Sequence, residues 1–459
     1  TSHDVVTAGR DMGLDIIILD HHEAEDTLPP ANFVINPKQE DDASGLDMLA
    51  AVGVAFLVCV SINTVLRERN YYETNGVIEP PLKKHLDLVA LGTVCDMVPL
   101  TGPNRLLVRR GFEQMADTGN EGLKALMEVS KMSGDPSPNH AGFVFGPRIN
   151  AGSRVHQSDL GAKLLSTDVS EEALNIAWTL EDCNEKRKSI QKDMTARART
   201  QVMARELEKS PVIIVDDPDG HPGLAGLVAG QLSKEFGKPA CVITYADTAG
   251  SVPEGRGSGR SVKGINIAAA FIAARQEGLL LKGGGHAMAG GFTIDPDKIA
   301  EFTTFMIHHV QNQLDGEVPV TEMDVDGLIS VRGIRPDFIK LLEGNAGPFG
   351  QGNPEPVFVL PKVRVERPDI VGKDHVRCFL VDWEGGTRIK AVAFRSAETQ
   401  LGQALLRNDG KPMHLAGQFK IDTWGGNERV ELHILDAVYE EEVLNESVEA
   451  EFDEAALIN

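Results

Sequence analysis

Four aliphatic residues, Ile16-Ile17-Ile18-Leu19, run directly into Asp20-His21-His22. A short apolar run bounded by polar residues predicts a strand buried on both faces, as in a parallel sheet. Val5 to Met12 reads as a short helix stopped by Gly13. The chain therefore opens on half of a βαβ unit whose first strand is missing. A doubly wound domain has further strands before this one, so the expectation is a chain that enters partway into a domain, truncated at its N-terminus. Phe33 to Pro37 predicts a second short buried strand, Gly45 to Arg69 a long helix apolar on most faces, and Leu82 to Leu91 another helix. That helix leads into Gly92-Thr93-Val94-Cys95-Asp96-Met97-Val98-Pro99-Leu100, where a carboxylate again follows an apolar segment at a sharp turn. Residues 105–167 read as short helices around a loop, Gly146 to Val155. Residues 170–208 keep a helical apolar spacing with no proline, and about 39 helical residues would span ~58 Å.

A second α/β pattern follows: strand Val212 to Val215, helix Leu224 to Phe236, strand Ala240 to Thr244. Two glycine-rich stretches, Gly255 to Ser261 and Gly283 to Gly291, read as loops. From about Glu355 to Tyr439 the pattern shortens to five alternating runs: Val357 to Leu360, Val376 to Val381, Ile389 to Phe394, His414 to Ile421 and Val430 to Ile434. Five strands with glycine-rich turns predict a small β-barrel of the OB type.

Composition narrows the classes. A chain of 459 residues exceeds one compact core and implies several domains. No apolar run is expected to reach the ~20 residues of a membrane span, so no membrane partner is expected. The five cysteines are scattered without a CxxC pair, which disfavours structural zinc and a disulfide framework and points to a reducing cytoplasm. The net charge of −23 argues against nonspecific coating of nucleic acid. Its distribution softens that argument. Residues 441–459 hold seven acids and no base, whereas residues 320–440 hold 18 acids and 15 bases, near balance. The acidic tail is expected to be disordered.

Candidate chemistry gathers where strands end. Ligands collect at the carboxyl ends of parallel strands, which places Asp20, His21 and His22 at a catalytic rim. Imidazole nitrogen with carboxylate oxygen suits manganese, zinc or iron, whereas magnesium prefers oxygen. Asp96 repeats the setting of Asp20. The stretch holding Asn150 and Arg154 suits a phosphate-binding loop, because guanidinium contacts phosphate bidentately; an arginine-rich helix connection would look the same. The two glycine-rich stretches offer backbone N–H groups to an anion, flanked by Ser258, Gly259 and Arg260 in one and His286 in the other. Each alone could be a tight turn between strands, but two such stretches in one domain, each with a hydrogen-bonding side chain, favour anion binding. In the barrel Phe379, Trp383, Phe394, Phe419 and Trp424 are candidate platforms for stacked bases, or core.

Together these motifs carry a family resemblance. Asp20-His21-His22 after an apolar strand, with Asp96 in Leu91 to Asp96, resembles the DHH phosphoesterase superfamily. Gly283-Gly284-Gly285-His286 with Ser258-Gly259-Arg260-Ser261 resembles the associated DHHA1 domain. With Asn150 to Arg154, His221-Pro222-Gly223, the long helix and the barrel, residues 1–440 are similar to the RecJ family of single-strand DNA exonucleases. The resemblance implies an α/β fold: a DHH domain with parallel sheet over 1–168, a connecting helix over 169–210, a DHHA1 domain over 211–318, and an OB domain with its lead-in over 319–440.

It further implies 5′→3′ hydrolysis of single-stranded DNA with two metal ions, Mn2+ or Mg2+, in recombination and repair. Single-strand-binding protein and a recombination helicase are the implied partners. On this reading His21 and Asp96 are metal ligands, and His22 contacts a metal or the phosphate. Asp20 orients the histidines or joins them, while Arg154, Ser258, Arg260 and His286 hold phosphates of the strand end. The family also uses an Asp-x-Asp on an earlier strand, which Asp4, Asp11 and Asp15 do not supply, and usually has glycine where this chain has Ser153. Two other readings stay open: a DHH phosphodiesterase for oligoribonucleotides or cyclic dinucleotides, and a repair scaffold without catalysis.

Overall fold

The computed structural model describes residues 2–24, 27–245, 254–314, 323–422 and 428–440. In chain order its elements are α1 (His3–Asp11), β1 (Ile17–Leu19), β2 (Phe33–Ile35), α2 (Ala51–Glu68), α3 (Tyr71–Asn75), α4 (Leu86–Cys95) and α5 (Gly102–Met115). Then come α6 (Glu121–Val129), α7 (Gly146–Val155), α8 (Leu160–Ser166) and α9 (Ser170–Ala204). The following α/β portion contains β3 (Ile213–Asp217), α10 (Ala225–Phe236), β4 (Ala240–Tyr245), β5 (Gly255–Arg260), α11 (Ile267–Gln276), β6 (Lys282–His286), β7 (Ala289–Ile294) and α12 (Ile299–Gln313). The last elements are β8 (Gly327–Leu328), α13 (Pro336–Ala346), β9 (Phe358–Val371), β10 (His375–Asp382), β11 (Arg388–Ala393), α14 (Gln400–Leu406), β12 (Met413–Asp422) and β13 (Arg429–Tyr439). They fall into two compact units, one formed within residues 1–117, 135–141 and 322–459, the other within 118–134 and 142–321.

In the first unit β1 pairs with β2 in parallel, Ile17 opposite Phe33 and Leu19 opposite Ile35. The expectation of strands buried on both faces needs correction. Ile17 is 60% exposed and Phe33 67%, because among the described residues only these two strands form this sheet. Helix α2 starts at Ala51 rather than Gly45, whose φ of +66° departs from helical backbone. The expectation that no run reaches membrane-span length is also corrected. The 18 residues of α2 are long and apolar enough by length and composition alone, since Ser61, Asn63 and Thr64 interrupt the apolar pattern without charge. Helix α4 runs on to Cys95 and is wedged between neighbours: a Cβ on its Gly92 would lie 2.8 Å from Val52 of α2, and one on Gly111 of α5 would lie 2.2 Å from the Leu86 oxygen.

The same unit holds the barrel. Its strands run β10-β11-β13-β12-β9, and β9 pairs back with β10 to close the ring. All these pairs are antiparallel except β11 with β13, and α14 lies in the connection from β11 to β12. This is the five-stranded closed barrel that the alternating runs predicted. Inward residues such as Leu360, Cys378, Leu380, Ala391, Leu415 and Leu432 are fully buried.

In the second unit α9 runs uninterrupted for 35 residues and buries Ala173, Ala177, Leu180, Met194, Ala198 and Val202. Gly146 to Val155, expected as a loop, is instead helix α7. Pro147 is pre-set for its first turn, and the Arg148 side chain donates back to the Val144 oxygen at 2.8 Å. The five-stranded sheet has the order β3-β4-β5-β7-β6, parallel only between β3 and β4.

Both glycine-rich stretches, expected as loops, are strands of this sheet: β5, β6 and β7. The physical reason is packing. A Cβ on Gly257 would lie 2.0 Å from the Phe292 ring, on Gly259 2.6 Å from Phe271, and on Gly290 2.8 Å from Phe271. The rings of Phe271, Phe292 and Phe302 form the core here, with the Phe271–Phe292 and Phe292–Phe302 centroids 4.8 and 4.9 Å apart. Glycine makes room for rings packed directly over the strand backbone. Gly257→Ala should therefore destabilise the protein by about 1–3 kcal/mol through overpacking. Urea denaturation would measure this, and an unchanged midpoint would contradict the packing account.

Candidate functional site

The chemistry of the first unit sits where β1 and α4 end. The Asp20 N–H donates to the Ile35 oxygen at 3.0 Å as the last rung of the strand pair. The chain then turns over the Asp20 carboxylate. Its Oδ1 accepts from the backbone N–H groups of His21 at 2.8 Å and His22 at 3.2 Å, and lies 2.7 Å from the His22 Nδ1. Partial burial would raise the Asp20 pKa, but these hydrogen bonds and the His22 imidazole outweigh it and hold the carboxyl at about 2. Asp20 is thus a fixed anion that shapes the turn. The Asn36 amide donates to the His22 oxygen at 2.8 Å and ties the turn to the end of β2.

His21 points elsewhere. Its Nε2 lies 3.1 Å from Asp96 Oδ2, joining β1 to the end of α4. Asp96 is the C-cap of that helix, and Met97 turns the chain away with φ +58°. A carboxylate at the carbonyl end of a helix is in an electrostatically unfavourable place. A cation at the His21–Asp96 pair would relieve it. The donor set, one imidazole nitrogen and one carboxylate oxygen, fits two positions of a manganese shell, and the oxygen fits magnesium. Among the described residues no group of three or more His, Cys, Asp or Glu gathers around one point. The remaining positions would fall to water, substrate oxygen or other groups. His22, with its side chain 70% exposed, is turned to Asp20 rather than to Asp96.

In the second unit three guanidinium groups converge. Arg154 lies one turn after Asn150 on α7 and donates to the Gly223 oxygen at 2.8 Å. Arg260 ends β5, its Nη1 donating to the Gly259 oxygen at 2.8 Å. Arg187, on α9, donates to Asn184 Oδ1 at 2.9 Å and to Gln191 Oε1 at 3.0 Å. Burial first, and then the charge of Arg154, push the pKa of both Arg187 and Arg260 down. Among the described residues none of the three forms a salt bridge, and Glu185 offsets part of the Arg187 charge from further away. Arg187 was missed in the sequence because its stretch was read only for its helical apolar spacing and length. The Asn184-x-x-Arg187 spacing, which puts both on one face, was the available signal.

Arg260, Ala289 and His286 lie directly opposite one another across β5, β7 and β6, so their side chains share one face. Ser258 is on that face two residues back. Gly226 and Gly230 of α10 leave space for Arg260, since a Cβ on Gly226 would stand 2.9 Å from its Nη2. Gly259 faces the other way, into the phenylalanine core. Asn150 is exposed, as is His286. In the barrel Phe419 is 3% exposed and belongs to the core, while Trp383 at 42% and Phe394 at 52% stand on the surface. Arg388 covers the Phe379 ring at 4.5 Å, and Trp424 and the 441–459 tail lie outside the described residues.

Family models match in the same chain order: the DHH family N-terminal domain at residues 1–93, the DHHA1 domain at 209–312 and the RecJ OB domain at 325–436. The chain is 32% identical over 447 residues to the single-stranded-DNA-specific exonuclease RecJ of Salmonella typhimurium, covering 95% of this chain and 75% of that protein. The chain belongs to the RecJ family. Escherichia coli RecJ is also 32% identical, over 96% of this chain and 75% of its own length. The crystal structure of Thermus thermophilus RecJ in complex with Mn2+ superposes with a TM-score of 0.75 at 27% identity, over 95% of this chain and 60% of that one. Its complex with Mg2+ gives 0.69 at 26% identity, over 93% of this chain and again 60% of that one. The chain thus spans three quarters of these RecJ sequences and 60% of that solved structure. The family comparison agrees with the α/β-plus-barrel architecture read from the sequence. Asp96 lies just beyond the span of the DHH model.

Three arginines without a salt-bridge partner should form an anion site. Inorganic phosphate at millimolar concentration should raise the melting temperature, because binding to the native state stabilises it. Arg154→Ala, Arg187→Ala or Arg260→Ala should each remove most of that rise. A rise of equal size in all three variants would place the bound phosphate elsewhere.

Proposed function

We propose that the protein is a divalent-metal-dependent exonuclease that degrades single-stranded DNA from its 5′ end. The observation that supports it most is the His21–Asp96 contact of 3.1 Å, which puts a metal-type donor pair at the rim of a RecJ-family fold. A bound Mn2+ or Mg2+ would polarise the scissile phosphodiester and make a coordinated water a better nucleophile. His21 and Asp96 hold that ion in this reading. Asp20 fixes the turn that aims His21, and His22 offers its exposed ring to a phosphate or a second ion. In the second unit Arg154, Arg187 and Arg260, with Ser258, His286 and Asn150, hold phosphate groups of the strand end. The barrel carries the strand further along on Trp383 and Phe394.

The barrel weighs against a phosphodiesterase confined to dinucleotides, which has no use for a strand platform. The His21–Asp96 pair weighs against a scaffold without catalysis. The 5′ polarity, the work in recombination and repair, the cytoplasmic location and the partners, single-strand-binding protein and a helicase, rest on family membership.

One assay on the full-length protein tests this reading. His21→Ala and Asp96→Asn should each reduce Mn2+-dependent hydrolysis by on the order of a hundredfold, on short and long substrates alike. Trp383→Ala and Phe394→Ala should instead spare a dinucleotide and weaken binding of a strand of about thirty nucleotides by about 1–3 kcal/mol for each stacked base lost. Near-normal cleavage by either metal-pair variant would remove that residue from the site. Equal losses on both substrates from the barrel variants would favour the small-oligonucleotide reading.

A further inference from the structure

The last four carbonyls of a helix have no partner within it and must find one elsewhere. At the end of α13 a local contact serves one and distant side chains serve the rest. The Glu343 oxygen accepts from the Gly347 N–H at 3.0 Å. Arg109 Nη2 donates to the Gly344 oxygen at 2.5 Å and to the Gly347 oxygen at 2.8 Å. Arg105 donates to the Asn345 oxygen and, through Nε, to the Gly347 oxygen at 3.1 Å. Asn353 Nδ2 donates to the Ala346 and Pro348 oxygens, both at 2.9 Å. Two cations at the negative end of a helix are favourably placed. A glycine cap would satisfy these carbonyls locally. Two arginines on α5, about 240 residues away in sequence, instead moor the helix end to another element.

The loop after α13 is what they moor. Residues 347–353 are closed by paired backbone bonds between Gly350 and Asn353, at 2.9 and 3.2 Å. This loop lies on the turn that follows Asp96. The Leu100 N–H donates to the Gln351 oxygen at 2.7 Å. A Cβ on Gly350 would meet Leu100 at 2.7 Å, and one on Gly352, whose φ is +69°, would meet Pro99 at 2.8 Å. From the other side the buried Asn104 amide donates to the Pro99 oxygen at 2.9 Å and to the Met48 oxygen at 2.6 Å. The turn carrying Asp96 out of α4 is therefore gripped between Asn104 and the 347–353 loop.

We infer that Arg105 and Arg109 are positioning residues for Asp96. By holding the carbonyl end of α13 they seat the 347–353 loop on the 97–101 turn, and the turn sets the carboxylate against His21. The inference rests on the proposed function, in which Asp96 holds the metal. It also links the segment that leads into barrel strand β9 to the metal pair, within one unit.

The test uses the full-length protein and Mn2+ itself. In the Arg105→Ala/Arg109→Ala double variant, Mn2+ affinity, measured from the electron paramagnetic resonance signal of free Mn2+, should fall on the order of 10- to 100-fold. On single-stranded DNA kcat should fall with KM unchanged. Lysine at both positions should restore only part of the loss, because an ammonium cannot bridge two carbonyls as the guanidinium fork does. Gly350→Ala, which pushes Leu100 directly and leaves both arginines intact, should show the same signature and decides the matter if the double variant does not fold. His21→Ala, measured in parallel, separates two kinds of failure. If His21→Ala weakens Mn2+ binding but the clamp variants leave affinity and kcat unchanged and raise KM, the arginines only moor the barrel and the inference is overturned. If His21→Ala itself leaves Mn2+ binding unchanged, the metal reading fails and the inference falls with it.

Discussion

The contact between His21 and Asp96 sets the demands on the rest of the first unit. It joins two termini that a helix and a strand would not bring together by themselves. The carboxyl end of β1 must stop at Asp20, and α4 must end at Asp96, with 3.1 Å between the side chains. Two glycines bring α4 close enough to its neighbours, Gly92 against α2 and Gly111 against α5. The Asp20 Oδ1 accepts from the backbone of the turn and meets the His22 ring, while the His21 ring reaches Asp96. The cost of an anion at a helix carbonyl end is one that a metal ion would offset. In that sense the local electrostatics are arranged for an occupant.

The second unit solves a different problem with the same residue. Glycine on β5 and β7 lets phenylalanine rings pack against one face of the sheet. On the other face Arg260 and His286 stand in one row, and Gly226 and Gly230 of α10 clear space above Arg260. Strand alternation divides packing from charge within the six residues Gly-Arg-Gly-Ser-Gly-Arg. Arg154 and Arg187 add charge from two helices. Like charges brought together under partial burial are unfavourable without an anion, which is why this cluster reads as a binding site rather than as surface decoration.

The architecture was largely legible in the sequence. Apolar runs ending in polar motifs marked β1 and the end of α4, and alternation marked every barrel strand. Among the features that were misread, three have clear physical reasons. Glycine-rich strands look like loops because glycine has no side chain to show alternation, and Phe271, which packs on Gly259 and Gly290, lies on a separate helix. Helix α7 looked like a loop because Gly146-Pro147 and Gly152-Ser153 are poor helix formers, yet Pro147 suits a first turn. The exposed β1–β2 faces were not predictable, because an apolar run reports what a strand can bury and not what covers it. At the candidate site the residue types were legible, and the family resemblance grouped His21 with Asp96; the separate directions of the two histidine rings were not legible. Asp20, His21 and His22 are adjacent in sequence, but His22 turns to Asp20 and His21 to Asp96. Arg105 and Arg109 carried no local motif, since their roles depend on partners far along the chain.

His21 and Asp96 are assigned here to one divalent metal ion. An anomalous diffraction map from crystals of the protein grown with Mn2+ should show a peak bound by both His21 Nε2 and an Asp96 carboxylate oxygen, at about 2–2.4 Å from each. A map with no peak there, or with manganese bound only by Asp20 and His22, would contradict that assignment.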